Sequence, residues 1–142
     1  MSRHLLDVNV ILALIDPSHI HHERAHRWFV DRAEDGWDSC PITETGVLRV
    51  MSNPRYPNSQ PMATIVASMA SLFEVGVHRF VPDSISLFDG MVDSSRLLSS
   101  GQVTDSYLLA LAIRHGSKLA TFDTKLVTDA VTGGSEAVGQ IP

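Results

Sequence analysis

The chain has 142 residues, 11 Lys and Arg against 16 Asp and Glu, a formal charge of −5, and 44% hydrophobic residues. A chain of this length forms one compact domain and buries roughly 68–70% of its unfolded surface, so it needs no disulfide or structural metal to fold. The apolar content excludes a disordered chain, the single Cys40 excludes a disulfide scaffold, and no stretch reaches the ~18–20 apolar residues of a membrane span.

The elements alternate from the first residues on. Arg3 to Val8 reads as a strand carrying Asp7, and Asn9 to Ile15 as a helix stopped by Asp16-Pro17. This start has the outline of a signal peptide, but Asp7 and Asn9 break the apolar run and no small-residue cleavage site follows, so the expectation is a soluble cytoplasmic protein with no membrane partner. His22 to Ala33 places Ala25, Trp28 and Phe29 at helical spacing, and Gly36 ends it. Trp37 to Cys40 is a short strand before Pro41, and Thr43 to Met51 a helix. Asn53 to Pro61, with its three prolines, is a loop. A helix over Met62–Phe73, a strand over His78–Val81 and helices over Ser86–Leu98 and Thr104–Arg114 follow. Then come a strand over Lys118–Thr121 and a short helical turn over Asp123–Val127. The glycine pair makes 132–136 a flexible stretch, and the final residues add an edge strand. This alternation predicts a single α/β domain spanning 1–142, a mainly parallel sheet with helices on both faces.

Four acids fall at strand ends or helix starts: Asp7, Glu44, Asp105 and Asp123. In open parallel sheets that edge is where ligands bind, at the point where strand order reverses, so distance along the sequence does not prevent the four from meeting. Each acid alone is also an ordinary helix cap or first-turn residue. Together they would repel unless a cation intervened, and a cluster of carboxylates suits Mg²⁺, with Mn²⁺ as a substitute. Such a site implies phosphodiester hydrolysis without a protein nucleophile. Asn9, Thr43, Thr104 and Thr121 are small polar neighbours placed to orient water or the carboxylates, or simply to cap helices. The net negative charge does not exclude a nucleic-acid partner, because acids held in a metal pocket would leave the remainder close to neutral.

The segments LLDVNVILALID (5–16), HERAHRWF (22–29), PITETGVLRVMSNPRY (41–56) and TDSYLLALAIRHGSKLATFD (104–123) together resemble the PIN-domain ribonucleases of VapC type, the toxins of bacterial toxin–antitoxin pairs. The resemblance implies a PIN-like three-layer sandwich around a five-stranded parallel sheet. It also implies a Mg²⁺ site at Asp7 and Asp105, completed by Glu44 and Asp123, and endonucleolytic cleavage of single-stranded or structured RNA. It further implies a homodimer held by a cognate VapB-type antitoxin within a larger assembly. Some relatives carry a further acid close to Asp123, where this chain has Thr121 and Thr124.

Other features compete with that reading. His22-Glu23-Arg24-Ala25-His26 fits H-E-x-x-H, which on a helix would make two zinc ligands with Glu23 as base. The simpler reading is a solvated, His-rich helix start. Arg49, Arg55, Arg114 and Lys118 are candidate RNA contacts or solvated charges, and Tyr56 is a loop aromatic that either packs or stacks on a base. A catalytically silent PIN-fold module that only binds a partner is the remaining alternative. An acid-pocket signalling domain and a D-x-D phosphatase both want a second acid that the LLDVNV segment lacks.

Overall fold

The structure is a computed structural model and describes residues 2–142. Its centre is a parallel sheet of five strands, β1 (Arg3–Leu6), β2 (Trp37–Ser39), β3 (His78–Phe80), β4 (Ser117–Thr121) and β5 (Val138–Gln140), in the order β3-β2-β1-β4-β5. Successive residues of the central strands face opposite layers. Leu6 and Ala120 join one core, and Leu5 and Leu119 the other. All four are fully buried, and each leucine taken out of water is worth about 1.5–3 kcal/mol.

One face carries α1 (Val8–Ile15), α2 (His22–Arg32), α3 (Pro41–Met51) and α4 (Met62–Phe73). The VNVILALI sequence of α1 is apolar nearly all round, and Val10 to Leu14 are all buried between the sheet and its neighbouring helices. The α3 helix starts at Pro41, whose missing N–H is no loss at the first helical position, and Thr43 closes a capping box with Cys40. Gly46 lets α1 and α3 approach closely, since a Cβ there would lie 2.7 Å from Val8 Cγ2. The opposite face is covered by α5 (Gly101–Arg114) and by the irregular segments around Val81–Val92 and Ala130–Ala137.

The expected helix over Ser86–Leu98 does not form. Asp89 accepts from the backbone N–H groups of Ser86 and Met91, and Asp93 from that of Ser95, so short polar side chains take the amides a helix would use. Gly90 adopts φ +95°, and a single 3-10 turn at Ser94–Arg96 is all that remains. The helical turn expected over Asp123–Val127 is an irregular turn. In the stretch around 132–136 Gly133 turns the chain at φ +74°, and Gly134 alone is buried, where a Cβ would lie 2.7 Å from the Thr128 carbonyl oxygen.

Buried polar groups not anticipated from the sequence tie the sheet together. Asp38, fully buried on β2, accepts from Arg3 of β1, Arg79 of β3 and Ser117 of β4. Burial pushes its carboxyl up, but the hydrogen bonds from Arg79, Ser117 and Arg3 outweigh it and hold the group below its ordinary value. No helix among the described residues is long and apolar enough to cross a membrane.

Candidate metal centre

Strand order reverses between β1 and β4, because the chain moves outward from β1 to β2 and β3 on one side while β4 and β5 lie on the other. Asp7 stands at that point. It follows β1, its N–H continues the ladder to the Ala120 carbonyl at 3.0 Å, and its side chain caps α1. Oδ1 accepts from the Val8 N–H at 2.8 Å and Oδ2 from the Thr121 hydroxyl at 2.9 Å. Burial pushes the Asp7 carboxyl up, the bonds from Thr121 and Val8 pull it back, and the charge of Asp123 pushes it up again.

Thr121 links three of the expected residues. Besides donating to Asp7, its hydroxyl oxygen accepts from Asn9 Nδ2 at 3.3 Å and from the Asp123 N–H at 3.1 Å. Asn9 Oδ1 in turn accepts from the Phe122 N–H. Asp123 thus hangs from the end of β4, one of its oxygens accepting from the Lys125 N–H at 2.8 Å.

Asp105 is the fifth residue of α5, because the helix begins at Gly101, a turn earlier than the sequence suggested. It is therefore neither a cap nor a first-turn acid. Burial raises its carboxyl first, and the charges of Asp7 and Asp123 add to it, bringing it to about 6 with no hydrogen bond to offset the rise. The fold thus brings Asp7, Asp105 and Asp123 within electrostatic reach of one another.

Glu44 is held by a separate set of hydrogen bonds. It lies in the first turn of α3, and its Oε2 accepts from the Ser39 hydroxyl at 2.6 Å, with His78 Nε2 2.8 Å from the same hydroxyl. Its other neighbours are apolar, Leu48, Val66, Met69 and Phe73 of α3 and α4. The charge of Asp123 acts on Asp7, and the charges of Asp7 and Asp123 act on Asp105. Ser39, fully buried, was not singled out from the sequence; a serine closing a strand just before a helix start was its only signal.

The supporting residues divide. Asn9 and Thr121 are hydrogen-bonded beside Asp7 and Asp123, Thr43 is a buried cap within α3, and Thr104 is exposed on α5. Among the basic candidates, Arg49 and Arg55 line one surface depression with Asn53 and Tyr56. Arg114 lies at the far end of α5, about 13 Å along the helix from Asp105. Lys118 sits about 10 Å down β4 from Thr121. Tyr56 packs rather than presenting itself for stacking, its hydroxyl donating to the buried Asp16 at 2.5 Å.

His22 and His26 are not simply solvated. Each places a ring nitrogen on a carbonyl at the end of α1, His22 Nδ1 at 2.7 Å from Ala13 O and His26 Nε2 at 3.0 Å from Leu14 O. They close the α1 terminus, where carbonyls lack helical partners. No group of three or more His, Cys, Asp or Glu residues among the described residues is arranged to hold a metal by itself.

A model of the PIN domain matches residues 4–129. The chain is 44% identical over 135 residues to Ribonuclease VapC44 of Mycobacterium tuberculosis, covering 94% of this chain and 95% of that protein. It is also 44% identical over 125 residues to Ribonuclease VapC38 of the same organism, covering 87% of each. Among solved structures, VapBC2 from Rickettsia felis bound to a fragment of its promoter DNA matches with a TM-score of 0.63 at 13% identity, over 87% of this chain and 89% of that one. Mycobacterium tuberculosis VapC20, a Sarcin-Ricin loop cleaving toxin, matches with a TM-score of 0.61 at 11% identity, over 86% and 89% of the two chains. At such identities the likeness of structure speaks for the fold, which is the five-stranded parallel arrangement described above. The family model and the relatives, each spanning most of the chain, place it in the PIN domain family, among VapC-type proteins.

Proposed function

We propose that this protein is a VapC-type endoribonuclease that hydrolyses phosphodiester bonds in single-stranded or structured RNA at a Mg²⁺ site, where Mn²⁺ substitutes, and that a VapB-type antitoxin neutralises it in the cytoplasm. The observation that carries the reading is Asp105, lifted to about 6 by burial and by the charges of Asp7 and Asp123, with no protein cation between them. Hard carboxylate oxygens in mutual repulsion are the donor set a divalent cation relieves. The lack of a complete protein cage agrees with Mg²⁺, which binds through one or two carboxylates and keeps waters or substrate phosphate in its other positions. Asp7 and Asp105 would hold the ion, with Asp123 and Glu44 contributing directly or through water. When bound, the ion lowers the pKa of water and offsets charge on the phosphate.

The chain's own residues prepare that chemistry. Val8 and Thr121 fix both oxygens of Asp7, so its carboxylate has one orientation. Asn9 and Thr121 bind the start of the Asp123 turn to β1. Arg49 and Arg55, which line one depression, are proposed to contact RNA phosphate together; Arg114 and Lys118 do not line it. The names of the relatives support the activity, and the VapBC2 neighbour from Rickettsia felis supports a VapB-type partner; a homodimer within a larger assembly is part of the same proposal.

Purified protein, free of contaminating nuclease, should cut labelled RNA with Mg²⁺ or Mn²⁺ and stop on chelation. Asp105→Asn should keep the fold and lose at least the ~100-fold that marks the upper end for losses outside the ligand set. Undiminished cleavage by that variant rejects the site. Absence of both cleavage and Mn²⁺ binding in the wild type would leave the silent, partner-binding module.

A further inference from the structure

We propose that Ser39 and His78 are positioning residues for Glu44, a relay that runs from β3 through β2 into α3 and fixes the fourth acid of the metal pocket. The inference deepens the proposed function and rests on it. The Ser39 hydroxyl lies 2.6 Å from Glu44 Oε2 and 2.8 Å from His78 Nε2. A hydroxyl has one proton, and a carboxylate only accepts, so Ser39 donates to Glu44. The contact with His78 must then run the other way, with the imidazole donating from Nε2 to the serine oxygen. Three groups, on β3, β2 and α3, thereby acquire one hydrogen-bond direction.

Both donors are held rigidly. Ser39 is fully buried at the end of β2. The His78 ring stacks on Phe73 with centroids 4.3 Å apart and planes within 4°, and leans on Trp37 at 4.4 Å. Glu44 has no comparable support of its own, because the groove beside it is lined by aliphatic and aromatic side chains. A glutamate there would otherwise sample many rotamers. The serine proton selects one, leaving Oε1 as the atom without a protein partner. Residues that orient a ligand from behind set metal affinity without touching the ion.

The test compares Ser39→Ala, His78→Phe and His78→Gln, each alone and combined with Glu44→Gln. His78→Phe keeps a ring between Phe73 and Trp37 but removes the donor, while His78→Gln returns an N–H. Calorimetry with Mn²⁺ should show about a 10-fold loss of affinity in Ser39→Ala and His78→Phe. His78→Gln should recover most of it, and neither loss should appear once Glu44 is already Gln. Nitrogen-15 spectra of the cation-free protein should show His78 protonated at Nε2, with that signal moving in Glu44→Gln. Unchanged Mn²⁺ affinity in both donor variants overturns the relay, as does an equal loss in the Glu44→Gln background, which would mark a purely structural role. Failure of the ribonuclease reading looks different: the wild type itself neither binds Mn²⁺ nor cuts RNA. In that event a His78 proton on Nδ1 still rejects the relay.

Discussion

Neutralising Asp105 and neutralising Asp38 should move stability in opposite directions, because burial acts on both and only one has partners. The Asp105 carboxyl sits near 6 instead of 3.8. Between roughly pH 4 and 6 the folded protein therefore binds more protons than the unfolded chain, and stability falls as pH rises through that window before levelling off. Asp105→Asn should raise the melting temperature of the metal-free protein at pH 7, by about 2–4 °C for each kcal/mol regained, and leave it unchanged below about pH 4. A helix-capping acid would behave in reverse, losing stability on neutralisation, so scanning calorimetry at two pH values separates the readings. Asp38 is held below its ordinary value despite burial, by Arg79, Ser117 and Arg3. Its contribution is present above the unfolded carboxylate range and is lost as pH falls through the lower folded value. Asp38→Asn should cost about 3 kcal/mol at pH 7, the low end for breaking a buried pair because Arg79 remains 40% exposed, and less at pH 3. Urea titrations at the two pH values measure both numbers; a constant difference would mean that packing, not charge, is what Asp38 supplies.

The start of α1 and the middle of α3 can touch only because position 46 has no side chain. Gly46→Ala gains about 1 kcal/mol of helix propensity but drives a methyl into Val8, an overpacking cost of about 1–3 kcal/mol. The net effect should be destabilising by about 1 kcal/mol in the wild type and should change sign in a Val8→Ala background, where the obstructing Cγ2 is gone. A four-member denaturation cycle reads this directly, and equal effects in both backgrounds would refute the contact. Such pairings explain how far the fold could be read from the sequence. Apolar period and glycine or proline stops located α1 to α4 and all five strands to within a few residues, since those signals are local. Ser86–Leu98 carries a similar apolar content, but Asp89 and Asp93 divert its amides into turns and Val92 pairs with Val131. Competition between side-chain and helical hydrogen bonds is settled by tertiary partners, and a pattern of apolar residues does not record it.

At the level of the whole molecule, the site follows from topology more than from any motif. Reversal of strand order between β1 and β4 puts Asp7 beside Thr121, 114 positions away, and α5 brings Asp105 over them. Asp7, Glu44 and Asp123 stood out in the sequence because each follows a strand or opens a helix, whereas Asp105 lies inside α5, which begins a turn earlier than the sequence suggested. The hydrogen bonds that hold Glu44 were not readable there, because they come from a hydroxyl and an imidazole on two further strands. The basic residues show the same limit. All four looked equivalent in the sequence, yet Arg49 and Arg55 share one depression that Arg114 and Lys118 do not line. RNA binding to a chain of net charge −5 must rely on local positive surface rather than on overall field. Arg49→Ala and Arg55→Ala should each weaken RNA binding and lower the slope of log K against log salt by about 0.7, the value for one phosphate on a single strand. Arg114→Ala and Lys118→Ala should leave that slope unchanged. Fluorescence titrations with Asp105→Asn, which cannot cut the probe, measure the four slopes, and equal decrements at all four positions would mean that RNA reaches around the molecule instead of crossing the α3 side of the acidic edge.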